Sequence, residues 1–179
     1  MFVALTLLVG LLPTIPGSAL KFIGFPLLLC GLLVGPRTGF AVGCLTDLIL
    51  FSLRPTGFFF PGYTLTQGLT AMLPGLVMSK RDPLTGKPWE ADGRRMSASG
   101  QILAYLRLLA TFAATKLLTS VLMVSYFTAM LTGIPLQAKL VETLAVQSVH
   151  VPIYALLSML VLEGLAQTDL YPRLLKARR

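Results

Sequence analysis

The chain has 179 residues, of which 55% are hydrophobic and only 12% charged, and its mean hydropathy is +0.78. Soluble domains average about 25% charged residues, so this composition cannot cover a water-facing surface, and an ordinary soluble fold is excluded. Lys and Arg number 15 against 7 Asp and Glu, a formal charge of +8, but the basic residues sit between apolar segments, which points to membrane topology rather than to nucleic acid.

Crossing ~30 Å of hydrocarbon takes about 20 apolar residues, with a range of ~17 to 25. Six stretches approach that length, over residues 1–15, 22–34, 40–53, 63–78, 102–130 and 136–165. They predict an all-α integral membrane protein, a single bundle of six transmembrane helices forming one domain over 1–179. The first stretch is apolar from its start, with no basic leader and no small-residue cleavage site before Pro13, so a cleaved signal peptide is not expected. The second and third are short and interrupted by Gly and Pro. Such breaks are tolerated where neighbouring helices or a cavity satisfy the freed backbone groups, which predicts a packed bundle with a site inside.

Basic loops stay in the cytoplasm. Arg37, then Lys80, Arg81, Lys87, Arg94 and Arg95, then Arg173, Lys176, Arg178 and Arg179 fall on one side of the alternating segments, against Lys21, Arg54 and Lys139 on the other. The asymmetry predicts a multi-pass protein of the cell membrane with both termini cytoplasmic, a cytoplasmic loop at 79–100 and a cytoplasmic tail at 166–179.

No GxxxxGK[ST] phosphate loop occurs, so energy for any transport has to come from elsewhere. The single histidine, His150, is accompanied by neither GxSxG nor HExxH. Cys30 and Cys44 lie in apolar runs without a CxxC pair. Neither metal, cofactor nor enzymatic chemistry is expected.

Ionisable groups at membrane depth cost about 2.5 to 3.5 kcal/mol each on insertion scales and are functional candidates by default. They are Asp47, Lys116, Lys139, Glu142 and His150. Lys139, Thr143, Gln147 and His150 recur at i, i+4, i+8 and i+11, which puts them on one helical face. The plainer alternative makes Lys139 and Glu142 an i,i+3 ion pair at the outer boundary and His150 a bundle residue beside Pro152. Arg107 lies close enough to a helix end to snorkel.

The stretch Arg54-Pro-Thr-Gly-Phe-Phe-Phe-Pro-Gly-Tyr-Thr-Leu65 is the most informative. Phe58, Phe59 and Phe60 sit on a turn bracketed by Pro55, Gly57, Pro61 and Gly62, where the three rings cannot all face lipid. Aromatic faces stack on flat conjugated ligands, and Asp47 and Gln67 are placed to bond a heterocycle's edge. The competing account is an interfacial aromatic belt, although belts favour Trp and Tyr over Phe.

These residues resemble the folate-family substrate-binding (S) components of energy-coupling factor (ECF) vitamin transporters. The likeness follows segment order through nearly the whole chain. It is strongest from Gly35-Pro36, through Gly39, Val42-Gly43 and Asp47, to Pro55-Thr-Gly-Phe-Phe-Phe-Pro-Gly-Tyr-Thr-Leu65, where Tyr63 replaces the usual Phe. The resemblance implies a six-helix protein that takes up folate or a related pterin and works with a membrane coupling subunit and two ATPases. It implies a role for Asp47 and for the stretch Phe60, Pro61, Gly62, Tyr63 and Thr64; together with the reading of the residues, Phe58, Phe59, Phe60 and Tyr63 are expected to cover the ring system and Asp47 and Gln67 to bond its edge. Lys116, Lys139 or Arg54 then meets the ligand's carboxylates, Lys116 and Arg54 on the strength of charge and depth alone.

Three departures stand out. Val124-Ser-Tyr-Phe127 replaces an Asn-Thr-x-Trp stretch, Lys139 and Glu142 replace a basic pair, and the small-residue AxxxA face of the first helix is missing. Thr6 and Gly10, at i,i+4, are the nearest substitute, and they are expected to form the face that docks on the coupling subunit. The alternatives are an S component for another flat vitamin, a small integral-membrane lipid-modifying enzyme using Asp47, Glu142 or His150, and a structural membrane subunit that binds no small molecule.

Overall fold

The computed structural model describes residues 2–11, 23–55, 58–78 and 98–166, and no strand occurs among them. Helix α1 (Phe2–Leu11) precedes α2 (Gly24–Val34), α3 (Pro36–Leu53), α4 (Pro61–Val77) and α5 (Ala98–Lys116). A π-helical segment (Leu117–Val124) carries α5 without a break into α6 (Ser125–Thr132), and α7 (Leu136–Ala166) follows. The boundaries have local causes. Gly35 at φ 107° ends α2 and Pro36 starts α3 at once, Pro61 occupies the first turn of α4, and Gly133 at φ 71° caps α6 in the left-handed conformation.

The centre of the molecule is α2. Every residue from Pro26 to Leu33 is buried, and Leu28, Leu29, Leu32 and Leu33 pack with Leu108 and Phe112 of α5 and with Tyr154, Ala155 and Leu162 of α7. On its other side α2 meets α3 and α4 through backbone rather than side chains. A Cβ added at Gly75 of α4 would lie 2.5 Å from the Gly31 carbonyl oxygen, and one at Gly39 of α3 would lie 3.0 Å from Gly31 Cα; α3 and α4 meet likewise, a Cβ at Gly43 lying 2.5 Å from the Gln67 carbonyl oxygen. Small residues at these crossings let helices approach to the packing contact that drives association in lipid.

The outer surface is apolar. The most hydrophobic window of α7 is only 28% buried, and Leu144, Val149, Leu156 and Leu160 along it are exposed. A soluble core helix would be covered, so this face is made for hydrocarbon. Two helical stretches, Gly100–Thr132 and Leu136–Leu165, are long and apolar enough to cross a membrane, while Phe2–Leu11 and Gly24–Val34 are shorter apolar helices.

The helical stretches follow the hydropathy reading to within a few residues, with three differences. Residues 98–100 belong to α5 rather than to the expected loop, because Gln101 Nε2 donates to Glu163 Oε1 at 3.0 Å and ties the start of α5 to the end of α7. The rest of that loop, 79–97, and the tail from 167 lie outside the described residues. The second difference is the π segment inside a stretch that reads as uninterrupted α-helix. The third concerns α1, whose expected docking face turns inward. Thr6 is fully buried, and a Cβ at Gly10 would lie 2.8 Å from Leu50 Cδ1 and 2.9 Å from Ile23 Cδ1. Thr6 and Gly10 therefore serve close packing within this chain, and Ala4, Leu5 and Leu8 form the outward face.

Candidate functional site: a polar cavity inside the helices

A cavity of about 210 Å³ lies between the start of α2, α4, the π segment and α7. From α4 come Tyr63, Thr66, Gln67 and Thr70, which at i, i+3, i+4 and i+7 share one helical face. Lys116, Ser120 and Val124 come from the α5–π junction, Val146, Gln147, His150 and Tyr154 from α7, and Ile23 and Gly24 close the lower end. π-helical turns inside α-helices concentrate at functional sites, and this one forms a whole wall of the cavity.

The cavity has two chemically different ends. Tyr63 and Val124 mark one, Thr70 and Lys116 the other, and the seven residues from Tyr63 to Thr70 rise about 10 Å along α4. At the Tyr63 end, the rings of Phe60, Tyr63 and Phe127 meet edge-on, with Phe60 and Phe127 centroids 5.2 Å apart. The Tyr63 hydroxyl and Thr128 Oγ1 are hydrogen-bonded at 3.0 Å, pinning α4 to α6. At the other end, Lys116 is 8% exposed and its Nζ stands 5.9 Å from the centre of the Tyr154 ring, within cation–π range. His150 stacks on that ring, 5.4 Å between centroids and 4° from parallel. Gln147 Oε1 is buried without a hydrogen-bond partner.

Of the residues predicted from sequence, the cavity unites Tyr63, Gln67 and Lys116. Asp47, Arg54, Phe58, Phe59, Phe60, Pro61, Gly62, Thr64 and Lys139 do not line it. Asp47 instead accepts a 2.6 Å hydrogen bond from Thr64 Oγ1, and Cys44 Sγ donates to the Thr64 carbonyl at 3.7 Å, so both brace the first turn of α4 against α3. Phe58 is fully exposed, and Phe59 packs on Phe51 at 5.3 Å between centroids. Of the three phenylalanines, Phe60 is the one that closes over the mouth cluster. Lys139 Nζ donates to Glu142 Oε2 at 2.8 Å on an exposed face, the i,i+3 pair of the plainer alternative. Of the predicted stripe on α7, Gln147 and His150 reach the cavity, while Thr143 is bonded to Ser125 at 3.1 Å.

Sequence reasoning missed Thr66, Thr70, Ser120 and Tyr154. The available signal was periodicity: Lys116–Ser120 and Gln147–His150–Tyr154 both recur at helical spacing. Among the described residues no three His, Cys, Asp or Glu side chains converge on a point. A second, apolar groove of about 340 Å³, lined by Leu122, Tyr126, Phe127 and Leu140 among others, offers little to orient a polar ligand. The polar cavity, with amides, hydroxyls, an imidazole and an ammonium around it, suits reversible binding.

The sequence model of the family described as "ECF transporter, substrate-specific component" matches residues 1–171. The chain belongs to this family. S components of ECF transporters are integral membrane subunits that bind the transported substrate and work with a membrane coupling subunit and two ATPases. The chain is therefore a transport subunit and not an enzyme, and the lipid-modifying alternative is set aside. No curated protein sequence matches the chain.

Proposed function

We propose that this S component takes up folate or a related pterin, binding it from outside the cell in the cavity between α2, α4, the π segment and α7. In this reading the chain is one membrane domain crossing six times with both termini in the cytoplasm, and it surrenders its ligand when the coupling subunit and ATPases act on it. The observation that carries the reading is that two side-chain amides, Gln67 of α4 and Gln147 of α7, line one cavity, together with Tyr63 of the Phe60–Tyr63–Phe127 ring cluster. An amide presents donor and acceptor side by side, which matches the alternating edge of a pterin, and ring faces supply its stacking surface. Asp47 and Thr64 hold the first turn of α4, and with it Tyr63, in place.

Pockets that enclose drug-sized ligands measure ~300 to 1,000 Å³, and this one measures about 210 Å³. That difference favours, as a second reading, a smaller flat vitamin. Titration calorimetry of the detergent-purified chain, without ATP, separates the two. Heat on adding folate, a reduced folate or pterin supports the first reading, and its absence in verifiably folded protein, with heat from another flat vitamin, replaces it by the second.

A further inference from the structure

Lys116 stands at residue 17 of the 33-residue span Gly100–Thr132, with 16 residues on either side. A cation at such a depth costs about 2.5 to 3.5 kcal/mol on insertion scales unless something compensates it. No anionic side chain among the described residues pairs with it; the ion pair found there joins Lys139 to Glu142, on the exposed face near the start of α7. Room for the ammonium is nevertheless built in: a Cβ at Gly24 would lie 2.7 Å from Lys116 Nζ and 3.2 Å from its Cε. The group is 92% buried, by its 8% exposure, and lines the cavity with Gln147, whose Oε1 is buried without a hydrogen-bond partner.

We infer that Lys116 is the carboxylate-binding residue of the transport site, and that the substrate is an acid held acid end inward, with its ring system left at the Tyr63 end. Buried charges are tolerated when paired and hydrogen-bonded, and an ammonium–carboxylate bond in a dry site is stronger than in water. The substrate supplies the missing charge, so occupancy of the site and neutralisation of Lys116 are the same event. The opposite end is aromatic, about 10 Å away along α4, and fixes the ligand's direction. Of the three cations considered from sequence, Lys139 is paired with Glu142 and Arg54 is exposed outside the cavity. The inference rests on the cavity being the transport site, and does not require the ligand to be a folate.

The test uses the full chain in detergent and ligands in acid and neutral versions: folate and pteroate against pterin, nicotinate against nicotinamide, biotin against biotinamide. At least one acid is expected to raise the melting temperature and to bind tenfold or more tighter than its neutral counterpart. Lys116→Met is expected to abolish that preference, losing tenfold or more for the acid and less than twofold for the neutral compound. Gly24→Ala keeps the charge but displaces the ammonium, and is expected to weaken the acid severalfold; it decides the matter should Lys116→Met fail to fold. Undiminished acid binding in both variants, a neutral compound binding as well as its acid, or no acid binding to folded wild type each overturns the inference. Binding of nicotinate or biotin but not of folate, pteroate or pterin overturns the folate reading alone. Equal binding of pterin and folate keeps the pterin reading and overturns this one.

Discussion

The two halves of the bundle are held together in different ways. Across α2, α3 and α4 the helices meet backbone to backbone, with Gly31 seated against the Ala71 carbonyl and Gly43 against that of Gln67. Across α5, the π segment, α6 and α7 they meet through side chains: the Ser125–Thr143 bond, the Gln101–Glu163 bond and Lys116 over the Tyr154 ring. Gly164 of α7 has no neighbour within 4 Å of where a Cβ would stand. Backbone atoms yield only when a whole helix shifts, whereas overpacked side chains adjust at a typical cost of ~1 to 3 kcal/mol. The cavity lies between the two halves: Tyr63 and Gln67 come from the first, and Lys116, Gln147 and His150 from the second.

The sharpest break of this comparison is Gly31→Ala set beside Gly164→Ala. A methyl group at Gly31 meets the Ala71 carbonyl oxygen, which cannot move without shifting α4. Overpacking costs ~1 to 3 kcal/mol where side chains yield, and occasionally more. Against backbone the expected loss is at least about 3 kcal/mol in thermal or denaturant unfolding in detergent, with ligand binding lost too. Gly164→Ala is expected to leave stability equal or up to ~1 kcal/mol higher. Equal losses in the two variants would remove the distinction between the halves.

Gly10→Leu comes next. Because Gly10 packs against Leu50 and Ile23, binding and cellular uptake are expected to fall together, with a stability loss of ~1 to 3 kcal/mol. Retained binding with lost uptake would return this position to a docking role. Asp47→Ala should have a smaller effect, since it removes the charged partner of one hydrogen bond to Thr64, worth ~1.5 to 3 kcal/mol at most. Thr64→Val is expected to reproduce it, and the double variant to cost no more than either alone. Additive losses would show Asp47 acting on the ligand directly. The smallest effect expected is that of Tyr63→Phe, which deletes the hydroxyl bonded to Thr128. It should cost ~0.5 to 1.5 kcal/mol while leaving the edge-on ring cluster in place, measured as a modest fall in ligand affinity.

Much of the fold was legible in the sequence because hydropathy reports directly on which segments avoid water. The Gly35-Pro36 break and the Pro61 start of α4 were equally visible, since each residue restricts the backbone locally. The π segment was not, because Leu117–Val124 is as apolar as its surroundings and the extra residue per turn leaves no compositional mark. For the lining of the cavity, Lys116 was legible through the cost of its charge, Tyr63 through the loop signature and Gln67 through its place just beyond it. Tyr154, Thr66 and Ser120 were hidden because tyrosine, threonine and serine are ordinary in helices, and only the convergence of three distant segments makes them a lining. Thr6 and Gly10 show a different limit: spacing identified a close-packing face, but spacing cannot say whether the partner is another subunit or, as here, α3 of the same chain.

The central claim is that a vitamin binds to this chain alone, inside the polar cavity. Ser120 lines that cavity from the π segment, so Ser120→Phe fills it without altering the mouth cluster or the glycine contacts. The direct measurement is mass spectrometry of the small molecules released on denaturing wild-type and Ser120→Phe protein, each first equilibrated with a mixture of vitamins and washed. The account predicts near-stoichiometric release of one flat, ring-bearing vitamin acid from the wild type and almost none from the folded variant. Equal release from both proteins, or none from the wild type, would contradict it.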